Sequence, residues 1–332
     1  MSTDFSAFAN RLRKSARHWG KWAKRRGISC YRVYDRDIPE FPLAVDVYER
    51  RAHLQEFDTG WQATDEEHAR WVEGIRAVAS EVLELPPEAI AFKIRARQRG
   101  TAQYEKTGAS GEDFVVSEGG HRFIVNLEEY LDTGLFLDHR NTRRMVEERA
   151  AGKRFLNLFA YTGSFTVYAA AGGAASSVTV DMSNTYQDWA RRNFELNGMD
   201  PERHRLVRDD VFAWLEKAVA AGERFDLIVM DPPSFSNSKK MSGVLDVQRD
   251  HPRLISQCLR LLSAGGELFF STNLRSFRLD EAALGTCRLE EISGRTVPED
   301  FRNKKIHRCW LIAPGVENQE KALTTNDTNE HE

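Results

Sequence analysis

Four apolar residues, Leu227-Ile228-Val229-Met230, run straight into Asp231-Pro232-Pro233 and stop. No polar residue interrupts the run, so a strand built from it must be covered on both faces, as central strands of parallel sheets are. Neither proline has an N–H for a ladder, so the strand ends there and leaves Asp231 at its carboxyl edge. Ligands of open α/β sheets bind outside that edge. The stiff Pro-Pro corner fixes the directions of the Asp231 carboxylate and the Phe235 ring, with Ser234 between them, an arrangement suited to a flat substrate. The same residues also describe a plain strand end with a rigid turn and a surface aspartate.

The surrounding chain favours the sheet. From Arg154 onward strands and helices alternate: strand 155–159, turn 161–164, helix 165–171, strand 178–180, helix 184–196, strand 204–207, helix 211–219. A helix over 247–262, a strand over 267–271 opened by Gly265-Gly266, and two closing strands, 288–292 and 306–313, complete the series. This pattern predicts a doubly wound, mostly parallel sheet covered on both sides. Gly163 falls between the first strand and first helix, where a glycine lets a ligand approach free backbone N–H groups. Asp181 ends the second strand, the usual place for an acid that holds ribose hydroxyls, and Asp210 ends the third, within reach of an adenine amine. These positions suit an adenosine-bearing cofactor. A dinucleotide requires several glycines around its pyrophosphate and only Gly163 is present, which argues against a nicotinamide cofactor and for S-adenosylmethionine. A doubly wound domain with solvated strand-end acids is the alternative.

Ahead of this half, helical spacing over residues 5–26 places Phe5, Phe8, Leu12, Ala16, Trp19 and Ala23 on one stripe. Around it stand Arg11, Arg13, Lys14, Arg17, Lys21, Lys24, Arg25 and Arg26, with no acid between Asp4 and Asp35, and Gly27 is the expected stop. Such a helix is a solvated face, a membrane-surface helix or an RNA clamp. Short β-like pieces follow at 30–34, 43–48 and 53–57, then a helix over 64–84 ended by Pro86-Pro87. In the next strand, period two puts Lys93, Arg95, Arg97 and Arg99 on one face, either a solvated edge or a surface that tracks phosphates. Two basic stripes of different period favour RNA. Glu118-Gly119-Gly120-His121 predicts a hairpin between 113–117 and 122–127, and a helix is expected over 143–149.

Three stretches resemble the class I methyltransferases of large-subunit ribosomal RNA: Asn157 to Gly163, Val180-Asp181-Met182-Ser183, and Asp231 to Ser238. Phe8 to Lys14, Cys30 to Asp35 and Lys305 to Ile312 narrow the likeness to the C-terminal, RlmK-type module of the bifunctional 23S rRNA guanine methyltransferases, over residues 5 to about 314. No counterpart of the THUMP domain or of the N2-guanine methyltransferase that precede that module in the bifunctional proteins is expected among these residues. The resemblance implies a class I fold, S-adenosylmethionine as cofactor and N7-methylation of a guanosine in 23S rRNA or its large-subunit precursor. It implies a cofactor site at Asn157, Phe159, Tyr161, Gly163, Asp181, Met182, Ser183, Asp210 and Val211, with Asp231, Pro232, Pro233, Ser234 and Phe235 at the reacting base. Expected RNA contacts are Arg11, Arg13, Lys14, Arg17, the four cations of the 93–99 strand, Arg140, and Lys239 and Lys240; the last two equally suit a solvated loop. The expected domains are residues 1–135, a basic helix with a small α+β RNA-binding domain; 136–315, the methyltransferase; and 316–332, a disordered acidic tail.

The chemistry can be tested on residue types. Methylation at C5 of a pyrimidine needs a cysteine nucleophile, yet Ser234 and Thr272-Asn273 occupy the corresponding places, and Cys30, Cys258, Cys287 and Cys309 lie elsewhere. Guanine N7 carries a lone pair and no proton, so positioning and exclusion of water suffice, and Phe235 can stack on the cation formed. One tension remains: N7 and O6 are both acceptors, as is Asp231, so a donor is sought in Ser234, Asn273 or Arg140. The exocyclic amines of N2-guanine or N6-adenine are therefore rival targets, and a non-catalytic RNA-binding or ribosome-assembly factor is the rival class. The four cysteines are far apart and form no metal-ligating pair, so no metal is expected. No apolar run approaches the ~18 residues of a membrane span, and the basic N-terminus is no signal peptide; a cytoplasmic protein is expected.

Overall fold

A computed structural model of the 332-residue chain describes residues 4–57, 63–95, 111–130, 132–237 and 243–315. The expectations for Arg97, Arg99, Lys239, Lys240 and the tail 316–332 lie outside them. The chain forms two compact units. The first runs to Leu137 and takes in Glu299–Asn303 as well; the second is Asp138–Pro298 continued from Lys304. No change of sequence pattern announces the return at Glu299.

In the first unit, α1 (Ser6–Arg26) buries Phe8, Leu12, Ser15, Trp22 and Ala23 and ends on left-handed Gly27, whose N–H returns to Ala23 and Lys24 carbonyls. Strands β1 (Cys30–Asp35), β2 (Leu43–Tyr48) and β3 (Arg51–Phe57) form an antiparallel meander. Helix α2 (Asp65–Leu83) starts in a capping box, Thr64 with Glu67, and carries the chain over to β4 (Ile90–Arg95), which pairs parallel with β3. The apolar side of α1 packs with α2 residues Trp71 and Ile75 on Val33, Leu43, Val45 and Leu54 of the sheet. In β4 it is Ile94 that is exposed, while Lys93 turns inward and donates to the Tyr130 carbonyl. Burial lowers the Lys93 pKa to about 8. The expected row of solvent-facing cations is therefore not met at Lys93: its ammonium satisfies an inward carbonyl, and its face of the strand is covered. Strands β5 (Phe114–Glu118) and β6 (His121–Val125) form the expected hairpin, closed by Gly119 and Gly120, both at positive φ as a two-residue type I′ turn requires.

The second unit opens at Asp138, within a single 3-10 turn, Leu137–His139, and continues into α3 (Arg140–Glu147). Helix α3 begins three residues earlier than the sequence pattern predicts, because Arg140 is itself part of the buried face. Then come β7 (Arg154–Leu158), α4 (Ser164–Ala171), β8 (Ser176–Val180), α5 (Asn184–Leu196), β9 (His204–Val207), α6 (Val211–Ala220) and β10 (Phe225–Met230). A small pair, β11 (Phe235–Ser236) with β12 (Leu245–Asp246), precedes α7 (Val247–Leu261), β13 (Leu262–Thr272), β14 (Cys287–Glu291), α8 (Ser293–Thr296) and β15 (Arg308–Pro314). The seven-stranded sheet has the order β14-β15-β13-β10-β7-β8-β9, parallel from β13 to β9 and antiparallel where β15 inserts between β13 and β14. β10 is the covered strand expected: Ile228 and Met230 enter one core, with α6 and α7, and Leu227 and Val229 the opposite one, with α3 and α4. The chain winds outward from β7 through β8 to β9, then crosses to β10 on the other side of β7. That reversal opens a crevice at the carboxyl ends of β7 and β10.

Candidate active site

The turn leaving β7 sits at the crevice and holds an unusual backbone. Phe159, Tyr161 and Gly163 all have positive φ, at 56°, 52° and 74°. Non-glycine residues adopt this conformation only where their surroundings over-determine it. Here the Tyr161 N–H donates to Asp181 Oδ2 over 3.0 Å, and its ring lies edge-on against Tyr186 at 4.5 Å. The buried Asn193 amide donates to the Thr162 carbonyl over 2.9 Å. Gly163 is required by packing as well as by φ: a Cβ on it would stand 2.8 Å from a Phe194 ring carbon and 3.1 Å from Ala190 Cβ. The turn is thus clamped onto α5, a stronger demand than the ligand approach that the sequence suggests for this glycine. Asn157 also works from beneath. It is buried and donates to Thr166, whose hydroxyl lies 2.8 Å from that of Thr179, so it braces the turn instead of facing the crevice.

Asp181, just past β8, accepts from the Tyr161 N–H and, over 2.8 Å, from the Ser183 N–H. Burial raises its pKa to about 6, against the lowering effect of these backbone donors. Two oxygens with four lone-pair sites leave room for further donors such as ribose hydroxyls. Ser183 caps α5, and Met182 beside it is half-buried. Asp210 differs from expectation: β9 ends at Val207, and Asp210 caps α6, Oδ1 accepting from the Ala213 N–H over 3.1 Å. Only its other oxygen is uncommitted to the cap. Val211 points into the core.

At the Asp-Pro-Pro corner, Pro232 is buried and the Phe235 ring is 47% exposed, so the aromatic offered by the sequence is accessible. Asp231 Oδ1 accepts from Ser271 Oγ over 2.6 Å, and its Oδ2 lies 3.5 Å from His139 Nε2. Ser234 Oγ donates to Asn273 Oδ1 over 2.5 Å, which leaves the two N–H donors of that amide. Cys309 feels the charge of Asp231 but is fully buried, and burial above all pushes its thiol pKa up; Cys258 is raised by burial alone. These two thiols are held in their unreactive form.

Sequence reasoning missed what stands behind Asp231. His139 and His307 stack face to face, centroids 4.2 Å apart and planes within 8°. His307 Nδ1 meets Asp138 Oδ2 at 2.9 Å and its Nε2 meets Thr296 Oγ1 at 3.0 Å, while His139 Nδ1 is 3.3 Å from Thr142 Oγ1. Burial first, and then His307, lowers the His139 pKa, which keeps that ring neutral at pH 7. The donor atoms of Asp138, His139 and His307 fall within 4.8 Å of one another, a separation open to a metal ion. Parallel rings, however, send their in-plane lone pairs side by side instead of converging, and both His307 nitrogens are engaged, so the geometry is that of a hydrogen-bonded brace. The only signal in the sequence was Asp138-His139 beside the helix start and a distant lone His307. Arg140, sought as a base-contacting donor, is buried on α3.

Of the expected RNA contacts, Arg11, Arg13, Lys14 and Arg17 lie on the exposed side of α1. Arg11 pairs with Asp37 and Arg13 with Glu81. Arg95 closes β4, and its side chain is outside the described residues. No helix among the described residues is long and apolar enough to cross a membrane.

Residues 69–304 match the family model described as S-adenosylmethionine-dependent methyltransferase. The chain is 63% identical over 310 residues to the ribosomal RNA large subunit methyltransferase K of Neisseria meningitidis serogroup B, covering 93% of this chain and 88% of that one. It is 53% identical over 312 residues to the ribosomal RNA large subunit methyltransferase K/L of Methylococcus capsulatus, covering 92% of this chain and 42% of the relative. Likeness to one half of a bifunctional protein is therefore too narrow a description, since the Neisseria relative is matched across most of its own length. Among solved structures, SMU.776, described as a methyltransferase complexed with SAH, superposes with a TM-score of 0.73 at 27% identity, over 94% of this chain and 82% of that one. The complex of aTrm5 with tRNALeu, at 14% identity, TM-score 0.54 and coverage of 88% and 75%, shares the fold alone.

Proposed function

Because the chain belongs to the S-adenosylmethionine-dependent methyltransferase family and has its class I, Rossmann-like fold, we propose that it methylates N7 of one guanosine in the 23S RNA of the large ribosomal subunit. S-adenosylmethionine is the cofactor, and it supplies a methyl group on a sulfonium. The residues fit it: a clamped turn at the start of α4, a half-buried carboxylate at Asp181 with capacity for two hydroxyls, and a second acid at Asp210. Both the K and the K/L relatives are named for ribosomal RNA of the large subunit, which supports the substrate class, and a ribosomal substrate supports the cytoplasm as the place of action.

The observation that carries N7 is how the donors at the corner are spent. Asp231 Oδ1 accepts from Ser271 Oγ and its Oδ2 lies 3.5 Å from His139 Nε2, which holds this carboxylate in place as a fixed charge. Asn273, its carbonyl occupied by Ser234, keeps an amide nitrogen for an edge that offers only acceptors, and N7 with O6 is such an edge. On this reading Phe235 stacks on the base, Asn273 donates to O6, and the fixed negative charge of Asp231 offsets the positive charge that the purine acquires. No proton leaves, so no general base is required. The exposure that Asp231 retains, 27% of its side chain, is what the N2-guanine or N6-adenine reading would rest on.

Mass spectrometry of nucleosides from the 23S RNA of a strain lacking this chain tests the reading. Loss of one 7-methylguanosine, restored by the purified protein with S-adenosylmethionine, is expected. Loss of an N2-methylguanosine or N6-methyladenosine instead would transfer the assignment to the exocyclic amine, and failure to bind the cofactor in calorimetry would leave only a non-catalytic RNA-binding role.

A further inference from the structure

The cations of α1 divide into two sets. Arg11, Arg13 and Arg26 are neutralised by Asp37 at 2.5 Å, Glu81 at 3.2 Å and Glu299 at 2.8 Å. Lys14, Arg17, Lys21, Lys24 and Arg25 are all exposed, and among the described residues none of them is in an ion pair. On a helix of 3.6 residues per turn these five fall within an arc of about 100°, and they span about 16 Å along the axis. That arc is opposite the buried side made by Phe8, Leu12, Trp22 and Ala23; Arg11 and Arg13 flank it on either side, and Arg26 is the last residue of the helix. Lys14 with Arg17, Arg17 with Lys21, and Lys21 with Lys24 and Arg25 are like-charged neighbours at three or four residues' separation, each of which weakens the helix. The border charges are matched with acids and the central file has no matching acid among the described residues, which is the pattern of a surface completed by an external polyanion.

We propose that this file is a docking surface for the sugar-phosphate backbone of the RNA substrate, with Lys14, Arg17, Lys21, Lys24 and Arg25 each taking the place of counterions. The inference rests on the RNA reading above and specifies where the backbone lies. An anionic membrane is the other polyanion of suitable charge. It is disfavoured because a membrane-surface helix sinks an apolar face into the lipid, and here that face is spent on the core, with Phe8 and Leu12 at 0% exposure. The surface is sequence-blind: it holds and orients, and the choice of nucleotide is left to the Asp-Pro-Pro corner.

The salt dependence of binding tests it. Affinity of the full chain for transcribed 23S RNA is measured by filter binding across a salt series. The comparison is with a variant carrying Lys14→Gln, Arg17→Gln, Lys21→Gln, Lys24→Gln and Arg25→Gln, and with the control Arg26→Gln. Each phosphate contact contributes about 0.7–0.9 to the slope of log K against log salt, so loss of five should lower its magnitude by about 3.5–4.5. Arg26→Gln should change it by less than one such step. An unchanged slope in the five-fold variant, with S-adenosylmethionine binding intact to show that it is folded, overturns the proposal. So does equal loss of binding to phosphatidylserine vesicles with no loss on RNA. If the wild type methylates no RNA at all but the slope falls as expected, the catalytic reading fails and this one stands.

Discussion

Replacing Gly163 by alanine separates the two demands made on that residue. The first is conformational: at φ +74° a Cβ meets the following carbonyl, at a cost of about 1–2 kcal/mol. The second is steric. The new methyl would stand 2.8 Å from Phe194 Cε1 and 3.1 Å from Ala190 Cβ, so α5 or the turn must give way, typically about 1–3 kcal/mol for an overpacked core. The sum is about 2–5 kcal/mol, a large part of a domain's stability of roughly 5–15 kcal/mol. Gly198 supplies the control within the same unit: it has φ +65° and nothing within 4 Å of the added carbon, so Gly198→Ala should show the conformational cost alone. Urea unfolding followed by near-ultraviolet circular dichroism measures both, and calorimetry with S-adenosylhomocysteine reports whether the displaced turn has also lost ligand. Gly163→Ala should be the costlier by about 1–3 kcal/mol and should bind the cofactor product less tightly. Equal costs for the two variants would show that the turn is not clamped on α5 at all.

If Asp181 holds the ribose as proposed, cofactor binding is expected to depend on pH. In the free protein its pKa, raised from 3.8 to about 6, means that its own contribution to stability is present below about pH 4 and is lost as pH rises through about 6. Binding through ribose hydroxyls needs the ionised form, so affinity should hold above pH 7 and weaken by about tenfold per unit well below pH 6; flat calorimetric affinity between pH 5 and 8 would remove Asp181 from the ribose. His139, 3.5 Å from Asp231, is expected to act through it as a positioning residue. His139→Ala should lower turnover by about 10–100-fold at unchanged cofactor affinity, and His139→Gln, which keeps an N–H, should recover part of it. Equal losses in the two variants would reduce the histidine to packing. Ser234→Ala releases the Asn273 amide from its fixed orientation and should cost about three- to tenfold in turnover, the worth of one hydrogen bond; steady-state kinetics showing no change would remove Asn273 as the O6 donor.

The sheet was legible because its signals are local. β10 has an unbroken apolar run and a double proline after it, and the helices between strands carry their own periodicity, so the order of elements could be read directly. The glycine pair of the β5–β6 hairpin was legible for the same reason. The brace behind Asp231 was not, because its parts stand 169 residues apart, Asp138 and His307, and neither residue type is diagnostic alone. Lys93 misled because alternation says which residues share a face but not which face is covered, and in β4 the lysine, with a carbonyl to bond, took the inner one. Asp210 misled by three residues: the chain leaves β9 at Val207 and spends the carboxylate on capping α6.

The excursion at Glu299–Asn303 has a bearing on how such a chain can be divided. Asp300 is buried in the first unit, where its carboxylate accepts from the Arg32 N–H over 2.9 Å, and the Arg32 guanidinium lies 4.4 Å over the Phe301 ring. A cut at the Leu137–Asp138 bond would give an amino-terminal fragment lacking the acid that accepts from the Arg32 N–H and the ring beneath its guanidinium. The carboxy-terminal fragment would be left with five residues whose neighbours are gone. Neither module is a free-standing cassette, so a graft onto another scaffold must either carry both junctions or supply a loop in place of 299–303.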